Sequence, residues 1–243
     1  MNLIIDVGNT CVKLAVFSND VLISKNSVKV SCLLKELVSL RDKYPAIRQS
    51  ILSSVGEISS QDLAYLKNTC NLVELSANSV LPFLNKYETP KTLGVDRIAL
   101  VCAAVKHSSN QNILVIDAGT CITYDFVNKN NEYLGGAISP GLATRYKSLN
   151  NLTANLPLLD LQFPKSITGA STKQAIHSGV VYGVLNEIDG IIATYRSNYS
   201  DLTVILTGGD SNFLSKQLKS TIFANSNFLL EGLNYILQFN KNQ

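Results

Sequence analysis

The chain has 243 residues, of which 46% are hydrophobic and 16% charged, and its formal net charge is +3. That apolar content excludes a disordered chain, and the small charge surplus, without a dense basic run, excludes a surface built to track nucleic-acid phosphates. No stretch approaches the roughly 18 consecutive apolar residues of a membrane span, and the opening MNLIID, cut by an acid, does not resemble a secretory leader.

The five cysteines, Cys11, Cys32, Cys70, Cys102 and Cys121, are odd in number and form no C-x-x-C pair. They read as small apolar residues of a reducing cytoplasm rather than a disulfide frame or zinc site. The length allows one or two domains.

Residues 3–6 are an apolar run closed by Asp6 and followed by Gly8. Residues 11–17 alternate, with Val12, Leu14 and Val16 against Lys13 and Ala15, and this period of two predicts a strand. A tight turn at Gly8-Asn9-Thr10 would join the two runs as an antiparallel hairpin. Asn19-Asp20 turns the chain into a third strand at 21–24. A helix is predicted over about 31–42, a strand over 49–54, a helix over 59–69 and a short strand over 72–75. Residues 76–92, with Pro82 and Pro90, are expected to be mostly irregular. From Gly94 a helix resumes, its apolar face marked by Val95, Ile98, Ala99 and Cys102.

The polar stretch 107–112 is the predicted boundary between domains at 1–109 and 110–243. Beyond it the opening repeats itself. Residues 113–117 are an apolar run ending in Asp117, Gly119-Thr120 makes a turn, residues 121–127 alternate, and another strand follows a turn at 128–131. A long helix over 171–196 carries Val181, Val184, Leu185, Ile188, Ile192 and Tyr195 on one face. Gly179, Gly183 and Gly190 in that helix each cost up to ~1 kcal/mol relative to alanine. Either another backbone approaches there, as in a helix pair across a subunit interface, or the glycines are merely tolerated. A strand at 202–206 runs into Thr207-Gly208-Gly209-Asp210, and two short elements are expected to close the chain.

The duplicated phrase has chemical content. A strand, an acid, a glycine turn and a threonine leave backbone N–H groups pointing outward, and glycine lets an anion approach the main chain. The acid cannot bind phosphate directly, but it can hold a cation that bridges to phosphate. Two copies, one per domain, would clamp a polyphosphate. In the plainer alternative both glycines simply make tight hairpins. Lys13 either reaches a phosphate as a point charge or sits on an exposed strand. Asp96, in a helix's first turn, either complements the dipole or accepts a hydroxyl proton beside the Arg97 guanidinium. The stretch GGAISPG at 135–141 either borders a ligand or turns a strand into a helix. His107 and His177 lack metal-ligand spacing, and no G-x-x-x-x-G-K, G-x-G-x-x-G, H-E-x-x-H or G-x-S-x-G occurs.

Together, DVGNT at 6–10, Tyr87 with TPKTLGVDR at 89–97, IDAGT at 116–120, GGAISPG at 135–141 and TGGD at 207–210 resemble the type III pantothenate kinases, members of the acetate and sugar kinase and actin-like ATPase superfamily. The resemblance implies an α/β fold of two ribonuclease-H-like domains, with mixed sheets flanked by helices and an ATP cleft between them. It implies a cytoplasmic homodimer that transfers the γ-phosphate of ATP to pantothenate, the first step of coenzyme A synthesis. ATP would be held by Asp6, Val7, Gly8, Asn9, Thr10, Cys11, Val12, Lys13 and Thr120, with Asp6 serving Mg2+. Asp96 would be the proton acceptor. Tyr87, Gly94, Val95, Asp96, Arg97 and Thr172 would contact pantothenate, and Asp117 would help bind K+ or NH4+. Residues 20–80 carry no usable motif. A kinase for another small alcohol, or a regulatory or scaffolding relative without turnover, are the alternatives; Tyr87 with GVDR disfavours the first, and the intact Asp6, Asp96 and Asp117 disfavour the second.

Overall fold

The computed structural model describes residues 1–8, 11–108 and 110–241. In chain order the first elements are β1 (Asn2–Val7), β2 (Val12–Ser18), β3 (Val21–Val28), α1 (Leu33–Lys43), β4 (Gln49–Ser54), α2 (Ser60–Thr69), β5 (Asn71–Glu74), β6 (Leu84–Asn85) and α3 (Val95–His107). They are followed by β7 (Ile113–Ala118), β8 (Cys121–Val127), β9 (Glu132–Pro140), α4 (Leu142–Asn151), α5 (Thr172–Asn198), β10 (Thr203–Thr207), α6 (Ser211–Leu214), β11 (Phe223–Ala224) and α7 (Phe228–Lys241).

The chain divides into two compact units. The first holds Met1–Ser109, Asn131–Tyr133 and Asn227–Gln243, and the second holds Asn110–Asn130 and Leu134–Ser226. The first sheet runs β3-β2-β1-β4-β5, with β1, β2 and β3 antiparallel and β4 and β5 parallel to β1. In the second unit the order is β9-β8-β7-β10-β11, with β8 antiparallel and β10 parallel to β7. Each sheet therefore has the order third, second, first, fourth, fifth of a ribonuclease-H-like unit. The duplication read in the phrase around Asp6 and Asp117 extends to the topology.

Strand period explains the placement of the first sheet's side chains. Leu3, Ile5 and Val7 of β1, with Val12, Leu14 and Val16 of β2, join one core with Leu33, Leu37 and Leu40 of α1 and Leu66 of α2. The alternate residues Asn2, Ile4 and Asp6 face the other way. There Asn2 donates to Asn234 of α7 at 2.8 Å, and α3 packs alongside α7. The second unit's core joins Ile116, Ile122, Tyr124 and Phe126 of its sheet to Val181, Val184, Leu185 and Ile188 of α5.

Residues 227–243 depart from the expected division of the chain. The last helix is neither short nor part of the second unit. Over its 14 residues Phe228, Leu230, Leu233, Ile236 and Leu237 are buried. Gly232 lies so close to the main chain of α3 that a Cβ there would meet the Ala99 carbonyl oxygen at 2.0 Å. Backbones approach at such a distance only through glycine, so any side chain at this position would force α7 away from α3. The irregular segment 76–92 contains β6, whose two residues pair with Glu132 and Tyr133. Among the described residues no helix is long and apolar enough to cross a membrane.

Candidate active site

In the first unit Asp6 is the penultimate residue of β1, with Lys13 of β2 directly opposite in register and Ser53 of β4 on the other side. Asp6 is buried, and the Lys13 ammonium stands 3.5 Å from its Oδ2 while remaining about a third exposed. Burial pushes the Asp6 carboxyl above its ordinary range, Lys13 draws it back, and the nearby Asp96 carboxylate pushes it up again, with a net rise. Asp6 thus has an ammonium on one side and a second carboxylate nearby, an arrangement that a divalent cation would complete.

The glycine turn after β1 is closed by the Gly8 N–H, which donates to the Cys11 carbonyl at 3.1 Å. Asn9 and Thr10, both assigned to nucleotide binding, lie outside the described residues. The loop after β4 backs this turn. Val55 and Gly56 donate to the Val7 carbonyl at 3.0 and 3.2 Å, and a Cβ on Gly56 would meet the Gly8 oxygen at 2.8 Å. Gly56 escaped the sequence reading because its partner lies far away in the chain.

Asp96 sits in the first turn of α3, where its Oδ1 accepts from the Arg97 N–H at 2.8 Å. Gly94 caps the helix, and a Cβ there would come within 2.4 Å of that same Oδ1. Gly94 therefore serves the carboxylate's position, not an unusual backbone angle. We expect Gly94→Ala to fold with an unchanged melting temperature, because a carboxylate tip can swing aside. On the reading of Asp96 as the proton acceptor, its displacement should cost about 100-fold in kcat. An unchanged kcat would show that another orientation of Asp96 works equally well.

Arg97 is buried, its guanidinium carbon 5.6 Å from the centroid of the Tyr87 ring and 6.0 Å from that of Tyr133. The two tyrosine rings stack at 5.9 Å with an interplanar angle of 28°. The structure thus brings together Asp6, Lys13 and Asp96, and likewise Tyr87 and Arg97, within one unit.

In the second unit Asp117 nears the end of β7, opposite Thr123 of β8 and Thr207 of β10. Here the Gly119 N–H donates to the Cys121 carbonyl at 2.9 Å, and the turn is one residue shorter than its counterpart after Asp6. The Thr207-Gly208 turn presses against it. Gly208 has φ of 95°, and a Cβ there would meet the Ala118 oxygen at 2.2 Å and Asp117 Oδ1 at 2.4 Å. The GGAISPG stretch borders the same loop: the Gly141 N–H donates to the Thr120 carbonyl at 3.0 Å, and the Thr144 hydroxyl donates to it at 2.6 Å. Thr120 itself is exposed. Thr172 opens α5 and lines an apolar hollow of about 500 Å³ with Arg145, Leu149, Ile176 and Gly179.

Among the described residues no group of three or more His, Cys, Asp or Glu could hold a metal ion. Mg2+ does not require one, since it is bound by one or two carboxylates together with substrate phosphates. Asp6, with Asp96 nearby, fits that demand. Around Asp117 the available donors are carboxylate and carbonyl oxygens, which suit a hard monovalent cation. His177 is buried with Nδ1 2.8 Å from the Tyr146 hydroxyl, and His107 contacts Glu231 at 2.9 Å, so neither histidine enters this chemistry.

The family model for type III pantothenate kinase matches residues 2–194. The chain belongs to the type III pantothenate kinase family. It is 52% identical over 243 residues to a type III pantothenate kinase of Christiangramia forsetii, with all of both chains covered (100% of each). It is 50% identical over 239 residues to a type III pantothenate kinase of Flavobacterium johnsoniae, covering 98% of each chain. Among solved structures it resembles a conserved Baf family protein from Campylobacter jejuni at 22% identity, with a TM-score of 0.65 over 99% of this chain and 100% of that one, a likeness of fold. Within the type III pantothenate kinase frame, the segment 20–80 that carried no motif supplies Gly56 behind the first glycine turn.

Proposed function

We propose that Asp96 is the proton acceptor as this kinase transfers the γ-phosphoryl group of ATP to pantothenate, giving 4'-phosphopantothenate and ADP in the first step of coenzyme A synthesis. The pantothenate hydroxyl oxygen bonds to the γ-phosphorus, the bond to the β,γ-bridging oxygen breaks, and the hydroxyl proton passes to Asp96. A loose transition state places most of the work on positioning and charge neutralisation, and the base need only orient the hydroxyl and take its proton late. The observation that carries this reading is the grouping of Asp6, Lys13 and Asp96, close enough that Asp96 raises the Asp6 carboxyl.

Asp6 and the glycine turn at Val7, Gly8, Cys11 and Val12 hold the ATP phosphates, joined by Lys13, and Thr120 contacts the nucleotide from its own turn. Asp6 would hold Mg2+, which when bound would supply charge neutralisation to the transferring group. Asp117 helps bind K+ or NH4+. Tyr87, Gly94, Val95 and Arg97 contact pantothenate; a guanidinium suits its carboxylate. The test is purified protein with ATP, Mg2+ and labelled pantothenate, with and without K+. We expect K+-dependent phosphopantothenate, and an Asp117→Asn variant whose rate no longer responds to K+. An unaltered K+ response in that variant would remove Asp117 from the cation site.

A cytoplasmic homodimer accords with two features. All five cysteines are unpaired. On α5, a Cβ at Gly179 or Gly190 would meet nothing within 4 Å, leaving room for a second backbone. Thr172, on the same helix, would then contact pantothenate near the subunit boundary. Sedimentation of the protein as a monomer at assay concentration would defeat this part of the proposal.

A further inference from the structure

We propose that Tyr133 is a positioning residue for pantothenate, acting through Arg97 and Tyr87; this rests on the reading that those two residues contact the substrate. Tyr133 is fully buried, at 0% exposure. It pairs with Asn85 of β6, its carbonyl accepts from the Lys86 N–H at 3.0 Å, and the Asn85 side chain accepts from the Tyr87 N–H at 2.9 Å. This short ladder delivers Tyr87 onto the Tyr133 ring, while Phe83 meets that ring edge-on at 6.1 Å and 73°. The Arg97 guanidinium lies near both stacked rings.

A free arginine samples many rotamers and gives up that freedom on gripping an anion. A guanidinium held by aromatic faces has already done so, and cation–π attraction strengthens when the cation is withdrawn from water. Arg97 is only 5% exposed. Tyr133 therefore prepares a planar donor for a carboxylate. A core filler would need only to be apolar and of the right volume. Tyr133 instead contacts both residues assigned to the substrate.

The experiment compares pantothenate with pantothenyl alcohol, which has CH2OH in place of the carboxylate, as substrates of the wild type, Tyr133→Leu, Tyr133→Phe and Arg97→Gln. Tyr133→Leu should raise the KM for pantothenate about 10-fold, leave the KM for ATP unchanged, and shrink the preference for the acid over the alcohol by the same factor. Tyr133→Phe, which keeps the ring, should restore that preference. If the leucine variant does not fold, a pentafluorophenylalanine at position 133 keeps the shape but reverses the charge on the ring face; it should lower the preference relative to Tyr133→Phe. Equal losses for both substrates, or an unchanged preference in the leucine or fluorinated variant, would overturn the proposal. If Arg97→Gln abolishes the preference while the Tyr133 variants retain it, only the role of Tyr133 falls. If Arg97→Gln also retains it, the assignment of Arg97 to the carboxylate falls and takes the inference with it.

Discussion

Asp96→Asn should retain ATP binding and lose about 100- to 10,000-fold in kcat, the range expected for removing a positioned proton acceptor. The amide is nearly isosteric, so its oxygen can still accept from the Arg97 N–H at the start of α3. What disappears is the ability to take up the hydroxyl proton. The substitution also removes a negative charge from the surroundings of Asp6, which makes loss of nucleotide affinity an implausible cause of any rate defect. Titration calorimetry with ATP, beside single-turnover assays with pantothenate, separates the two effects. Turnover near the wild-type rate would refute the assignment.

Asp6→Asn should reduce kcat/KM for ATP about 100-fold or more, because it removes the carboxylate proposed to meet the Mg2+ of the nucleotide. The same substitution should raise the melting temperature of the ligand-free protein. The Asp6 carboxyl is buried and its folded-state pKa lies above the ordinary value, so its ionised form weighs against folding. The sign follows from linkage: a raised folded pKa contributes stability below the unfolded pKa, and that contribution is lost as pH climbs through the folded value. The gap in melting temperature between variant and wild type should therefore open between acid and neutral pH. A variant that is inactive yet less stable than wild type at neutral pH would show that the Lys13 contact outweighs desolvation. A buried carboxylate of this kind is a stability cost.

Much of this site was legible in the sequence because its parts are local. An acid after a short apolar strand, then glycine, is a complete turn within a few residues, and both copies fold as hairpins: Val7 pairs with Val12, and Ala118 with Ile122. The reading of Tyr87 came from resemblance, and resemblance decided between the two readings of Asp96, since an acid in a helix's first turn has a plain electrostatic explanation. Contacts between distant residues were not legible. Gly56 is silent until its neighbour Gly8 is known. Tyr133 reads as an ordinary strand residue until β6, only two residues long, brings Tyr87 above it. The third strand, predicted over 21–24, extends to Val28 because pairing with β2 carries it onward; its far half is exposed and lacks the apolar alternation that would mark it in the sequence. The closing helix α7 failed both in length and in membership, because its partner α3 precedes it by more than a hundred residues.

That arrangement has a consequence for protein synthesis. Translation proceeds from the amino terminus at about 5–20 residues per second, so α3 leaves the ribosome well before the helix that covers it. Until residues 228–241 are made, α3 has an apolar flank open to solvent and to chaperones. A stop at residue 227 would strip Ala99 of Gly232 and Asn2 of Asn234. Late nonsense alleles of this gene should therefore behave as full losses of function.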